Sequence, residues 1–87
     1  MKVTIDGRIY QAATAVRLIE EIKDLHWQAD STTDAEKYIL IQSGMYYKLT
    51  GRVMNFPPEW DTEARAVAMF ETIARMGAWV FDKGDGQ

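Results

Sequence analysis

An Asp-Gly pair near the start of the chain constrains the fold more than any other feature of the sequence. Asp6-Gly7 separates two short runs, Lys2–Ile5 and Arg8–Gln11, that are rich in β-prone residues. A two-residue type I′ turn needs positive φ at both central positions, and Asp-Gly tolerates this better than most pairs. The pattern therefore predicts a tight N-terminal β-hairpin.

The hairpin has one face that we expect to be buried. A two-residue loop pairs Val3 with Tyr10 and places both on the same side as Ile5, whereas Ile9 lies on the opposite side. Because an isolated two-stranded hairpin is marginally stable in water, it must pack on helices or gain a third strand.

The rest of the chain has helical periodicity. Apolar residues recur at spacings of three and four, which predicts three amphipathic helices over roughly 14–29, 34–50 and 59–81. Thr14 is the predicted N-cap of the first helix, and Thr33 with Glu36 forms a capping box for the second. Gly51 is placed to end the second helix in the left-handed conformation.

The end of the third helix is ambiguous. Its apolar stripe continues in phase to Phe81, which favours helix throughout, but Gly77 could instead end the helix and leave 78–81 as a strand. The linker before it contains Pro57-Pro58, which excludes a helix there, and a third strand is also open at 53–56.

These elements predict an α+β fold, in which an N-terminal β-hairpin packs on a bundle of three helices with a small third strand left open. Residues 1–81 are expected to form a single compact domain, because the length of 87 residues leaves no room for two cores, and 82–87 a flexible C-terminal tail. The predicted core consists of Tyr10, Leu18, Ile22, Tyr38, Ile41, Met45, Phe70 and Ile73.

Composition argues against catalysis and against a membrane protein. The chain has no Cys and one His, so disulfides, thiolate metal sites and cysteine nucleophiles are excluded. His26 falls on an apolar stripe, and no catalytic motif accompanies it. We expect a non-enzyme without cofactor or metal. With no signal-peptide pattern and no apolar run of membrane-spanning length, we expect a cytoplasmic protein.

Several large apolar side chains do not lie on the predicted core stripes, and they suggest a partner-binding surface. Leu40 and Tyr47 lie among polar residues of the second helix, near Lys37 and Lys48. Aromatic residues are enriched at the centres of protein interfaces. The sequence therefore predicts a small protein–protein interaction module, a regulator, adaptor or inhibitor, that binds another protein or a second copy of itself. The candidate partner-binding residues are Leu40, Tyr47, Lys37, Lys48, Trp27 and Trp79.

A small DNA-binding regulator is the alternative. The short connection before helix 34–50 resembles a helix-turn-helix turn in length, and Lys37, Lys48 and Arg52 would then contact phosphates. Asp34 and Glu36 in the first turn, together with a net charge of −3, disfavour nucleic acid as a partner.

Overall fold

A computed structural model describes residues 1–25 and 33–84, and these form a three-stranded antiparallel sheet and three α-helices. This confirms the predicted α+β class, with its N-terminal hairpin and a small third strand. The elements in chain order are β1 (Lys2–Ile5), β2 (Arg8–Gln11), α1 (Ala15–Ile22), a 3-10 turn (Lys23–Leu25), α2 (Ala35–Thr50), α3 (Thr62–Arg75) and β3 (Val80–Asp82).

The hairpin has the predicted turn and register. Asp6 and Gly7 have φ values of 52° and 81°, as a type I′ turn requires. Val3 pairs with Tyr10 and is fully buried, whereas Ile9 lies on the outer face and is 66% exposed.

The third strand forms near the C-terminus of the described chain. β3 pairs antiparallel with β1, so the strand order is β2-β1-β3 and β1 is central. Phe81 lies opposite Val3 and faces inward, where its ring stacks on Phe70 with centroids 5.0 Å apart. Asp82, which was expected in the tail, is the last residue of β3.

The prediction that the third helix continues to residue 81 is wrong. α3 ends at Arg75, and Gly77 follows with φ of +85°, a conformation that glycine adopts without steric cost and that turns the chain out of the helix. The predicted start at 59 also lies too early, because Asp61 is the N-cap and accepts a 2.9 Å hydrogen bond from the amide of Ala64. Residues 53–56 do not form a strand.

The predicted ends of the other helices are correct in part. Thr14 caps α1, and its hydroxyl accepts from the amide of Arg17 at 3.1 Å. The N-cap of α2 is Asp34 and not Thr33, because the Asp34 carboxylate accepts from the amide of Lys37 at 2.8 Å. Gly51 ends α2 with φ of +73°, as predicted. α1 ends at Ile22, and the remainder of the predicted helix 14–29 lies largely outside the described residues.

The core lies between the sheet and the helices, where α1 and α3 pack against the strands and α2 packs on α3 and α1. The predicted core residues Leu18, Ile22, Tyr38, Phe70 and Ile73 are buried, while Tyr10 and Ile41 are half-buried against the core. Met45 is only half-buried, and the buried side of α2 instead carries Ile39 and Gln42. No helix among residues 1–25 and 33–84 is long and apolar enough to cross a membrane.

Candidate functional site

Two of the predicted binding residues form one exposed surface on α2. Leu40 and Tyr47 are two helical turns apart and therefore lie on the same flank of the helix. Leu40 is 70% exposed and Tyr47 is 56% exposed. An aromatic and an aliphatic side chain held this far out of the core, on a rigid helix, form the apolar surface that we call the Leu40–Tyr47 flank.

A groove runs beside this flank. It has a volume of about 360 Å³ and lies between α2 and the linker that precedes α3. Leu40 and Ile39 form its helical wall, and Met54 and Phe56 form the wall from the linker. Met54 is buried and Phe56 packs on the core, so the linker is held in place by apolar contacts. We call this cavity the linker groove.

An ion pair lies in the wall of the linker groove. Arg65 on α3 donates from Nη1 to both carboxylate oxygens of Glu36 on α2, at 3.0 and 3.2 Å. Both side chains are partly exposed, so the pair stabilises the fold by at most about 1 kcal/mol. It joins the first turn of α2 to the first turn of α3, and it fixes charged groups beside the apolar walls.

The two predicted lysines lie on the exposed side of α2. Lys37 and Lys48 are both exposed, and eleven residues bring them back to nearly the same angle around the helix axis. Neither makes an ion pair within the described part of the chain. They border the Leu40–Tyr47 flank but do not line the linker groove.

The predicted tryptophans do not join this surface. Trp79 is half-buried and packs against Phe70, with ring centroids 5.9 Å apart. It lines a second, mainly apolar groove of about 150 Å³ on the other flank of α2, together with Met45, Leu49 and Met76. We call this cavity the methionine groove. Trp27 lies outside the described residues, as does His26.

Sequence reasoning missed the methionine groove. Met45 was predicted to lie in the core but is only half-buried, and Leu49, one helical turn further on, is 72% exposed. The sequence does contain a sign of this groove: apolar residues occur around most of the circumference of the second helix, and one packed face cannot cover them all. Which of them stay uncovered depends on the position of α3, whose C-terminal end lines the groove with Ile73 and Met76.

One buried polar pair lies inside the domain. Gln42 donates from Nε2 to the hydroxyl of Tyr38 at 3.2 Å. Burial raises the pKa of the Tyr38 phenol well above its ordinary value, and the hydrogen bond from Gln42 offsets this only in part. The pair satisfies polar groups within the core. No three acidic or imidazole side chains converge in the described ranges in a way that could hold a metal ion.

Comparison with known proteins yields no relative. No protein-family model matches the chain, and no curated protein or solved structure is significantly similar to it. The functional argument therefore depends on the surfaces described above.

Proposed function

We propose that this protein is a non-catalytic protein–protein interaction module that binds another protein, or a second copy of itself, through the Leu40–Tyr47 flank of α2. The observation that supports this most strongly is the exposure of both side chains on one flank of a well-formed helix. Apolar side chains that project from a rigid element can be buried by a partner with little loss of backbone entropy.

The surroundings of the flank also fit an interface. The linker groove beside Leu40 offers a concave apolar surface, and Lys37 and Lys48 provide a charged border. An apolar centre with a polar rim is the usual anatomy of a protein interface. A partner would insert an apolar side chain beside Leu40 and place acidic groups near the lysines.

The geometry gives less support to the alternative of DNA binding through α2. Asp34 is the N-cap of the helix and Glu36 lies in its first turn, where a recognition helix would meet the duplex. The Asp34 carboxylate caps the helix, and the Glu36 carboxylate pairs with Arg65. Both negative charges are therefore fixed where the phosphates of a duplex would have to approach.

The test uses two single substitutions, Leu40→Asp and Tyr47→Asp. Both side chains are exposed, so we expect circular dichroism and thermal melting close to those of the wild-type protein. Self-association measured by light scattering, or affinity capture of a defined partner, should be lost. A variant that unfolds would place its side chain in the core and contradict the proposal, and so would undiminished binding by a folded variant.

A further inference from the structure

The methionine groove continues into a second cavity that is positively charged. Tyr46 and Met76 line both cavities, so the two share a wall. The second cavity has a volume of about 430 Å³, and its polar lining includes Arg52 and Arg75. Together they form one composite surface, apolar at one end and basic at the other, between the C-terminal halves of α2 and α3.

The two arginines have no carboxylate partner in the described part of the chain. Within residues 1–25 and 33–84, the Arg75 guanidinium donates only to the hydroxyl of Thr72, at 3.3 Å, and Arg52 forms a hydrogen bond only through its backbone amide, which donates to the Thr50 hydroxyl. No Asp or Glu of the described chain lines either cavity. The chain as a whole has a net charge of −3, whereas the two arginines make this part of its surface positive.

We propose that this composite surface is a second binding site, distinct from the Leu40–Tyr47 flank, and that it takes an acidic amphipathic helix of a partner protein. The apolar face of such a helix would cover Met45, Leu49 and Met76, and its carboxylates would pair with Arg52 and Arg75. Helix-in-groove recognition uses apolar anchors spaced by three and four residues. Methionine side chains are flexible and fit such anchors well.

Charge complementarity favours this occupant over others. Two arginines can neutralise few phosphates, so they provide little affinity for nucleic acid, whose binding depends on many such contacts. A second copy of this chain carries the same positive charge on this face, so face-to-face pairing would bring like charges together. An acidic helix satisfies both the arginines and the apolar wall.

The first experiment measures where a defined probe binds on the wild-type protein. The probe is a synthetic helical peptide of about 15 residues, with leucine at every third or fourth position and glutamate beside it. Methyl NMR of the methionines should show shifts at Met45 and Met76, while Met54 in the linker groove and buried Met69 stay unchanged. Absence of shifts at Met45 and Met76 would overturn the proposal. If the Met45 and Met76 signals shift with protein concentration in the absence of peptide, the surface binds a second copy of the chain, and the proposal is overturned.

The second experiment tests the charge. The double variant R52E/R75E should bind the glutamate peptide about tenfold more weakly or worse, which corresponds to ~1.4 kcal/mol, and should gain affinity for a matched peptide with lysine in place of glutamate. The control K37E/K48E makes the same change of charge on the exposed side of α2 and should bind as the wild-type protein does. Equal binding by R52E/R75E would overturn the proposal. So would a glutamine version of the peptide that binds equally well, or a DNA duplex that displaces the peptide at physiological salt.

A third comparison separates this site from the proposed function. Leu40→Asp should retain the glutamate peptide, because Leu40 lies outside both cavities. Loss of peptide binding in this folded variant would show that the peptide binds the Leu40–Tyr47 flank. That result would overturn the site on the composite surface and leave the proposed function of the flank standing.

Discussion

The carboxylate of Glu63 on α3 caps the N-terminus of α1, forty-eight residues earlier in the chain. Its two oxygens accept hydrogen bonds from the backbone amides of Ala15 and Val16, at 2.7 and 2.9 Å. α1 has no acidic residue in its own first turn, so Glu63 provides the negative charge that the positive end of the helix dipole favours. One side chain therefore fixes the relative position of two helices that form the core.

Replacing Glu63 with glutamine should destabilise the protein by about 1–2 kcal/mol. The glutamine side chain is uncharged, and its single oxygen can replace only one of the two carboxylate oxygens that accept from the Ala15 and Val16 backbone. Chemical denaturation followed by circular dichroism measures the difference. The control is Glu59→Gln, an exposed position in the turn before α3, which should change stability by less than about 0.5 kcal/mol. Equal effects of the two substitutions would show that the hydrogen bonds that Glu63 accepts from α1 contribute nothing to stability.

Two Gly→Ala substitutions should change stability in opposite directions. Gly77 has φ of +85°, so alanine there is strained and should cost about 1 kcal/mol although no atom lies in the way of its Cβ. Gly44 lies within α2 with open space around it, so alanine there should stabilise the protein by up to about 1 kcal/mol. Thermal melting of both variants checks the signs. Stabilisation by Gly77→Ala would mean that α3 can continue toward residue 81.

The buried Tyr38 hydroxyl should make stability depend on alkaline pH. An unfolded tyrosine titrates near pH 10, whereas the pKa of folded Tyr38 lies higher. The folded state therefore retains a proton that the unfolded state loses, and stability falls as pH rises above about 10.

Tyr38→Phe removes this titration and leaves the Gln42 amide with one partner fewer. We expect the variant to be less stable than the wild-type protein by about 1 kcal/mol at neutral pH, and the difference to shrink at about pH 11. Guanidinium denaturation of both proteins at the two pH values measures this, since other alkaline titrations cancel in the difference. A stability difference between the two proteins that stays constant with pH would contradict the raised pKa of Tyr38.

Local signals in the sequence were sufficient for the hairpin, for the Thr14 cap of α1 and for the end of α2 at Gly51. Asp6-Gly7 predicted both the turn and the register, because the two-residue type I′ turn that this pair favours sets Ile5 opposite Arg8. The stripe to Phe81 misled because residues eleven apart on a helix share one face, so a helix and the observed strand would both turn Phe81 toward the core. In the folded protein Phe81 contacts Phe70 from a strand, after Gly77 has reversed the chain. Periodicity alone does not distinguish the two.

The candidate sites were predictable only in part. Leu40 and Tyr47 were found because both are apolar residues on the otherwise polar side of their own helix, which is a property of local sequence. The composite surface around Arg52 and Arg75 joins a residue just after α2 to a residue at the end of α3, and only the packing of the two helices places them together. The cap that Glu63 provides for α1 was hidden for the same reason, since the two groups are 48 residues apart in the sequence and meet only when α3 packs on α1.

The central claim is that a protein contacts the Leu40–Tyr47 flank, and site-specific photo-crosslinking in the native host cells tests it most directly. A photoreactive phenylalanine analogue replaces Tyr47 in one chain and Ile9, which is at least as exposed and lies on the outer sheet face, in the control. The account predicts a discrete crosslinked product from position 47, to another protein or to a second copy, that disappears when Leu40→Asp is added. No product from position 47, the same product from position 9, or a product that persists with Leu40→Asp would contradict it.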